Sequence, residues 1–84
     1  MEKNKKKLFT TGELASLCNI HRKTLLFYDR LGLIKPEFID DNGYRYYARR
    51  QFFSLEIILA LRKLDISLPE IGEYLNNKST SNYK

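Results

Sequence analysis

Apolar residues recur at helical spacing in four stretches of this chain and alternate at strand spacing in one. Leu14 and Leu17 stand three apart, just behind Thr10-Thr11-Gly12-Glu13. In a Thr-x-x-Glu spacing the threonine hydroxyl caps free backbone N–H groups while the glutamate reaches back. A short helix over about Thr11 to Leu17 is expected, with the two leucines on one face. Asn19 then interrupts, and asparagine tolerates the left-handed conformation a tight helix-helix turn needs. A second helix is expected from His21 or Arg22 to Leu31. Leu25, Tyr28 and Leu31 would face inward, and Arg22, Lys23, Phe27 and Arg30 would project largely to another face. Gly32 ends this helix, and Pro36 forbids its continuation.

Residues 37–47 read as a hairpin. Glu37-Phe38-Ile39 is extended, Asp40-Asp41-Asn42-Gly43 is turn chemistry, and Tyr44-Arg45-Tyr46-Tyr47 is strand-like. Two strands alone are marginal, so they must lean on the helices. The longest helix is expected from about Arg49 to Leu64. It is apolar on much of its circumference (Phe52, Leu55, Ile58 and Leu59, widened by Leu61), which predicts the central packing element. Ser67-Leu68-Pro69-Glu70 is a second capping box, opening a last helix with Leu68, Ile71 and Leu75 on one face. The fold class is therefore mainly α. It is a winged helix-turn-helix: a helix-turn-helix, a two-stranded β wing and two further helices. The division is a basic flexible tail over 1–8, the winged domain over 9–76 and a polar tail over 77–84.

Composition narrows the function. With 84 residues the chain makes one thin-cored domain, with little room for a deep enzyme pocket. No Gly-rich phosphate loop or acid–base pair appears, since Asp40 and Asp41 belong to a turn. One cysteine, Cys18, and one histidine, His21, supply too few ligands of those types for a zinc site. Cys18 sits among Leu14, Leu17 and Ile20 and reads as a small buried hydrophobe. No cofactor and no metal are called for. No apolar run reaches membrane-spanning length, so a cytoplasmic, nucleoid-associated protein is expected. The net charge is +5, and all of it lies in residues 1–35, which hold eight basic and three acidic residues. Such asymmetry suits a polyanion-facing surface. The plain alternative is that Lys3, Lys5, Lys6 and Lys7 form a solvated tail.

The turn itself has a pattern. Ala15 is small where two helices cross, Asn19 sits at the turn, and Leu25 is apolar. Beyond it lie longer strings: Thr11-Gly12-Glu13-Leu14-Ala15, then Thr24 through Pro36, then Asn42-Gly43-Tyr44-Arg45-Tyr46-Tyr47, then Ile66 through Ile71. Together they resemble the N-terminal domain of MerR-family transcription regulators over about residues 8–77. The resemblance implies a homodimer, formed through a C-terminal helix that this chain does not contain. It implies a regulator that binds a palindromic promoter element and distorts the DNA so that RNA polymerase engages both promoter boxes. The chain departs from the family in four places. Asn19 stands where Gly is usual, Leu26 where Arg is usual, Phe27 where Tyr is usual, and Ala48-Arg49-Arg50 where a Ser cap and acidic residues are usual.

The candidate DNA-binding residues follow. Thr11 belongs to the matching string. His21, Arg22, Lys23 and Thr24 open the second helix, whose N-terminal half enters the major groove in this fold, with Phe27 and Arg30 one and two turns on. Tyr28 reads equally as core or as a phosphate contact. In the wing, the family pattern sends Arg45 to the phosphate backbone; on its own it reads as a surface charge paired with Asp40 or Asp41. Tyr46 is a second wing candidate. Arg49 and Arg50 put two cations in a first helical turn behind a poor Ala48 cap, against the helix dipole. A bound phosphate there would answer both the arginines and the free N–H groups. Simple tolerance of a small cost is the alternative. Two rival functions remain: a small DNA-architectural, excisionase-like protein, and a protein-interaction module without DNA binding, to which Leu26 lends support.

Overall fold

The computed structural model describes residues 7–80, with side chains from 7 to 77. Of the expected basic tail, residues 1–6 lie outside the described residues, Lys3, Lys5 and Lys6 among them. The order is β1 (Phe9–Thr10), α1 (Thr11–Leu17), α2 (Arg22–Arg30), β2 (Phe38–Ile39), β3 (Arg45–Tyr47), α3 (Arg49–Lys63) and α4 (Leu68–Thr80). α4 continues four residues past Asn76, into the segment expected to be a polar tail. Residues 81–84 lie outside the described residues.

Both capping boxes form. The Glu13 N–H donates to Thr10 Oγ1 at 3.1 Å, and the Thr10 N–H donates to Glu13 Oε1 at 2.9 Å. Ser67 and Glu70 repeat the exchange at the start of α4. The helix exits are equally regular. After α1, α2 and α3 the chain turns left-handed at Asn19, Gly32 and Asp65, with φ of 59°, 81° and 64°. At each exit the following N–H groups close on the last turn: Ile20 on the Ala15 carbonyl, Leu33 on Tyr28 and Ile66 on Leu61. This is the Schellman arrangement. Asp65 is the least suited of the three, being an L-residue at positive φ with a carboxylate at the negative end of a helix dipole. Asp65→Gly should therefore raise the stability by about 1 kcal/mol, read as a higher urea midpoint at unchanged m-value.

The sheet has three strands, in the order β1-β3-β2 and antiparallel throughout. The wing was expected to have two. Phe9 and Thr10, extended ahead of the α1 cap, pair with Tyr47 and Tyr46, so the hairpin is propped by backbone hydrogen bonds as well as by helices. Leu14, Leu25, Tyr47, Leu55, Ile58 and Ile71 are the largest side chains fully out of solvent, so the core draws on every helix and on β3. Two leucines depart from expectation. Leu31 is exposed because the turn at Gly32 follows it at once, and Ile34 fills the core in its place. Leu17, at the last position of α1, is also exposed and does not share the buried face of Leu14. α3, expected to be the central packing element, joins the core on one side only: Leu55 and Ile58 are buried while Phe53, Ile57 and, just past its end, Leu64 are exposed.

Candidate nucleic-acid interface

Besides the β1–β3 ladder, one carboxylate ties the wing to α2. Asp29, in the last turn of α2, is aimed at β3. Its Oδ2 accepts from Arg45 Nε at 3.0 Å and from the Tyr47 hydroxyl at 2.9 Å. Tyr47 is wholly buried, and the Thr11 side chain near its hydroxyl partly offsets the upward push on its pKa. α1, α2 and the wing therefore meet at one polar node. The wing tip is built separately. Asp40 Oδ1 accepts the N–H groups of Asn42 at 2.9 Å and Tyr44 at 3.0 Å, and its Oδ2 lies 3.3 Å from the Tyr46 hydroxyl. Gly43, at φ 85°, closes the turn.

With the wing fixed in this way, Thr10, Thr11, Gly12, Arg22, Tyr44, Arg45 and Tyr46 line one open concavity of about 440 Å³. Two cations from elements far apart in sequence, Arg22 and Arg45, reach the same opening. Arg22 lies over α1 at Gly12, where a Cβ would meet its Cδ at 3.8 Å, an ordinary contact. Beside it, His21, Arg22, Lys23 and Thr24 form an open depression at the start of α2. Further along α2, Phe27 and Arg30 are both exposed and pair with each other, the guanidinium 5.9 Å from the ring centre.

The remaining expected residues lie elsewhere or are otherwise engaged. Tyr28 is buried, so of its two readings the core one describes where it sits. Thr11 also turns its side chain inward, toward Tyr47, and is buried. The hydroxyl of Tyr46 is held by Asp40, and its ring packs on Phe38 at 5.8 Å between centres. Arg45 pairs with Asp29, not with Asp40 or Asp41, because Asp40 is consumed by its own turn. Arg49 and Arg50 line a separate concavity with Lys7 and Ala48. The strand register puts that concavity at the other end of the β1–β3 pair from Arg45. The Ala48 N–H is satisfied by Gln51 Oε1 at 2.6 Å, which is half a capping box, and Arg50 Nη2 pairs with Glu37 Oε1 at 2.7 Å. Arg50 and the Ala48 N–H thus already have part of the compensation that a phosphate was expected to supply.

The profile of the MerR family regulatory protein matches residues 10–47, from the α1 cap to the end of the wing. The multidrug-efflux transporter 2 regulator of Bacillus subtilis is 40% identical over 79 residues, which are 94% of this chain and 29% of that protein. The HTH-type transcriptional regulator SkgA of Caulobacter crescentus superposes with a TM-score of 0.77 at 32% identity, over 94% of this chain and 55% of that one. HiNmlR, a MerR family regulator lacking the sensor domain and solved bound to promoter DNA, superposes at 0.82 with 25% identity, over 90% of this chain and 58% of that one. This chain belongs to the MerR family. It spans under a third of the Bacillus relative and about half of each of the two solved chains. The three are regulators, in line with the expectation of a chain that is not an enzyme.

Within the MerR-family domain, the polar node leaves a titratable signature. Burial, then the Asp29 carboxylate, pushes the Tyr47 phenol up from 10.0 to about 12. A group whose folded pKa lies above its unfolded value stabilises the fold below the unfolded value and stops doing so as pH rises through the folded one. The stability contributed by neutral Tyr47 is thus complete below about pH 10 and lost toward about pH 12. Urea midpoints of the parent chain and of Tyr47→Phe, taken from pH 9 to 12 (about the span of the shift), should converge as the pH rises. Cys18 is half-buried with its S–H 3.9 Å from Glu56 Oε2, and burial, then Glu56, pushes its pKa up to about 11. Both causes favour the protonated thiol over the reactive thiolate.

Proposed function

We propose that this chain is the DNA-reading head of a bacterial MerR-type transcription regulator, binding double-stranded promoter DNA in a sequence-specific way. α2 enters the major groove with His21, Arg22, Lys23 and Thr24 leading, and the wing lies alongside, with Arg45 on the phosphate backbone. The observation that carries this reading is the shared opening of Arg22 and Arg45, held in register by Asp29. Two cations fixed on one face, one on a helix and one on a wing, fit a duplex whose phosphates flank a groove. The whole regulator works as a homodimer through a helix C-terminal to this chain. It distorts the promoter so that RNA polymerase engages it, in the cytoplasm on the nucleoid. A protein-interaction role is less well supported, because Leu26, the residue that favoured it, is half-buried and offers little free surface.

The test is a fluorescence titration of duplex DNA at low salt, repeated as salt rises. Binding with a steep inverse salt dependence is expected, and no binding at low salt overturns the reading. The second cationic opening is tested in the same assay with Arg49→Ala, which leaves the Arg50–Glu37 pair intact. If Arg49 meets a phosphate, the log–log salt slope falls by about 0.9. If only the melting temperature rises, as removal of a cation from a first helical turn should cause, Arg49 has no DNA role.

A further inference from the structure

The open face of α2 carries one large apolar side chain between two cations. Phe27 is 41% exposed, with Lys23 four residues before it and Arg30 three after, so the three stand in a row along the helix. Both cations are exposed. The ring is held in place. The Arg30 guanidinium lies 5.9 Å from its centre, and the ring of buried Tyr28 lies at 6.1 Å, tilted by 42°. Asp29, the one acid in α2, is turned away from this row to Arg45 and Tyr47 in the wing. The row therefore presents an apolar ring and two positive charges, with no carboxylate of its own helix among them.

We infer that Phe27 is a specificity residue of this helix, packing its ring on the C5-methyl group of a thymine in the major groove. The inference rests on the reading of α2 as the helix that enters the groove. A surface of this character fits a polyanion that also presents an apolar group. The major groove presents one at the thymine methyl, while the other edges that tell its base pairs apart are hydrogen-bond donors and acceptors. A phenyl ring has nothing to offer those edges. The methyl is thus the groove feature that Phe27 can select. Because Tyr28 and Arg30 already fix the ring, little side-chain freedom is lost on contact. Lys23 and Arg30 stand a turn to either side, where phosphates or guanine edges answer a cation. A ring that served only to steady Arg30 would leave a different mark: its loss would weaken every duplex alike.

The experiment crosses a protein substitution with a single-atom-group change in the DNA. The chain first enriches a duplex from a random-sequence pool at low salt. Each dT of that duplex is then replaced in turn by dU, which removes the methyl group and leaves every hydrogen-bonding atom in place. Fluorescence titrations compare the parent with Phe27→Ala, and circular dichroism confirms that the variant is folded. At one dT the parent should lose about three- to fourfold in affinity on replacement, the worth of one buried methyl. Phe27→Ala should bind the dT and dU duplexes equally at that position, which marks the two groups as coupled. A duplex with no dU-sensitive position overturns the inference. So does a sensitive position whose loss is the same in Phe27→Ala, which gives the methyl to another residue. Binding that enriches no sequence at all also overturns it while leaving DNA binding intact. No binding at low salt overturns the reading beneath it as well.

Discussion

Asp29→Ala should destabilise the domain by about 2–4 kcal/mol, the largest effect expected of any polar substitution here. The side chain of Asp29 is only 10% exposed, and it is acceptor to two donors at once. Its removal leaves the fully buried Tyr47 hydroxyl without its charged acceptor, a loss on the order of 1.5–3 kcal/mol. The Arg45 side chain is 35% exposed and recovers water when released, so its share is smaller, on the order of 0.2–1 kcal/mol. For a domain of this size the sum lowers Tm by roughly 10–30 °C. A double-mutant cycle with Tyr47→Phe assigns the loss. If the node is real, the double variant is less destabilised than the sum of the singles by about 1 kcal/mol or more. Strict additivity would show that the two groups act independently, and that the wing is held by its backbone ladder alone.

Asp29 also shows where reading the sequence stops. Its partners lie 16 and 18 residues away, on an element whose orientation no local periodicity reports. Nearest-acid reasoning sends Arg45 to Asp40 or Asp41, yet the turn takes both oxygens of Asp40 for its own N–H groups and for Tyr46. Local chemistry was far more legible. Both capping boxes, the left-handed Asn19 and Gly32, the Asn-Gly turn and the four helices follow from interactions spanning five residues or fewer. Asp65 escapes the same logic only because its residue type argues against the conformation that the Leu61–Ile66 closure imposes.

The third strand and the two faces of α3 were illegible for a different reason. Phe9-Thr10 is too short to carry an alternating signal and becomes a strand only because Tyr46 and Tyr47 lie beside it. An apolar circumference, as on α3, says that a helix wants burial without saying how many partners it has. The exposed Phe53, Ile57 and Leu64 show that one of those sides is uncovered among the described residues. The candidate site divides the same way. Sequence placed the cations on the right elements, while their convergence, Arg22 with Arg45 and Lys7 with Arg49 and Arg50, is tertiary.

Arg22→Ala should weaken duplex binding about eightfold at 0.1 M salt and reduce the log–log salt slope by about 0.9. Arg22 opens α2, is exposed, and lies over Gly12 at the mouth shared with Arg45. That position, between a helix start and a wing, suits a phosphate at the groove edge better than a base on the groove floor. The loss should therefore fall on every duplex alike, specific or not. Arg45→Ala should act in the same way, and the two together should lower the slope by about 1.8 if they hold two phosphates. Lys23 and Thr24, displaced around the helix in the neighbouring depression, are better placed to read base edges, so Lys23→Ala should relax preference at one base pair. A loss for Arg22→Ala confined to one base pair, with the slope unchanged, would reverse these assignments and move Arg22 into the groove. An affinity untouched by either arginine would remove the shared opening as the DNA contact, whatever the fold's relatives bind.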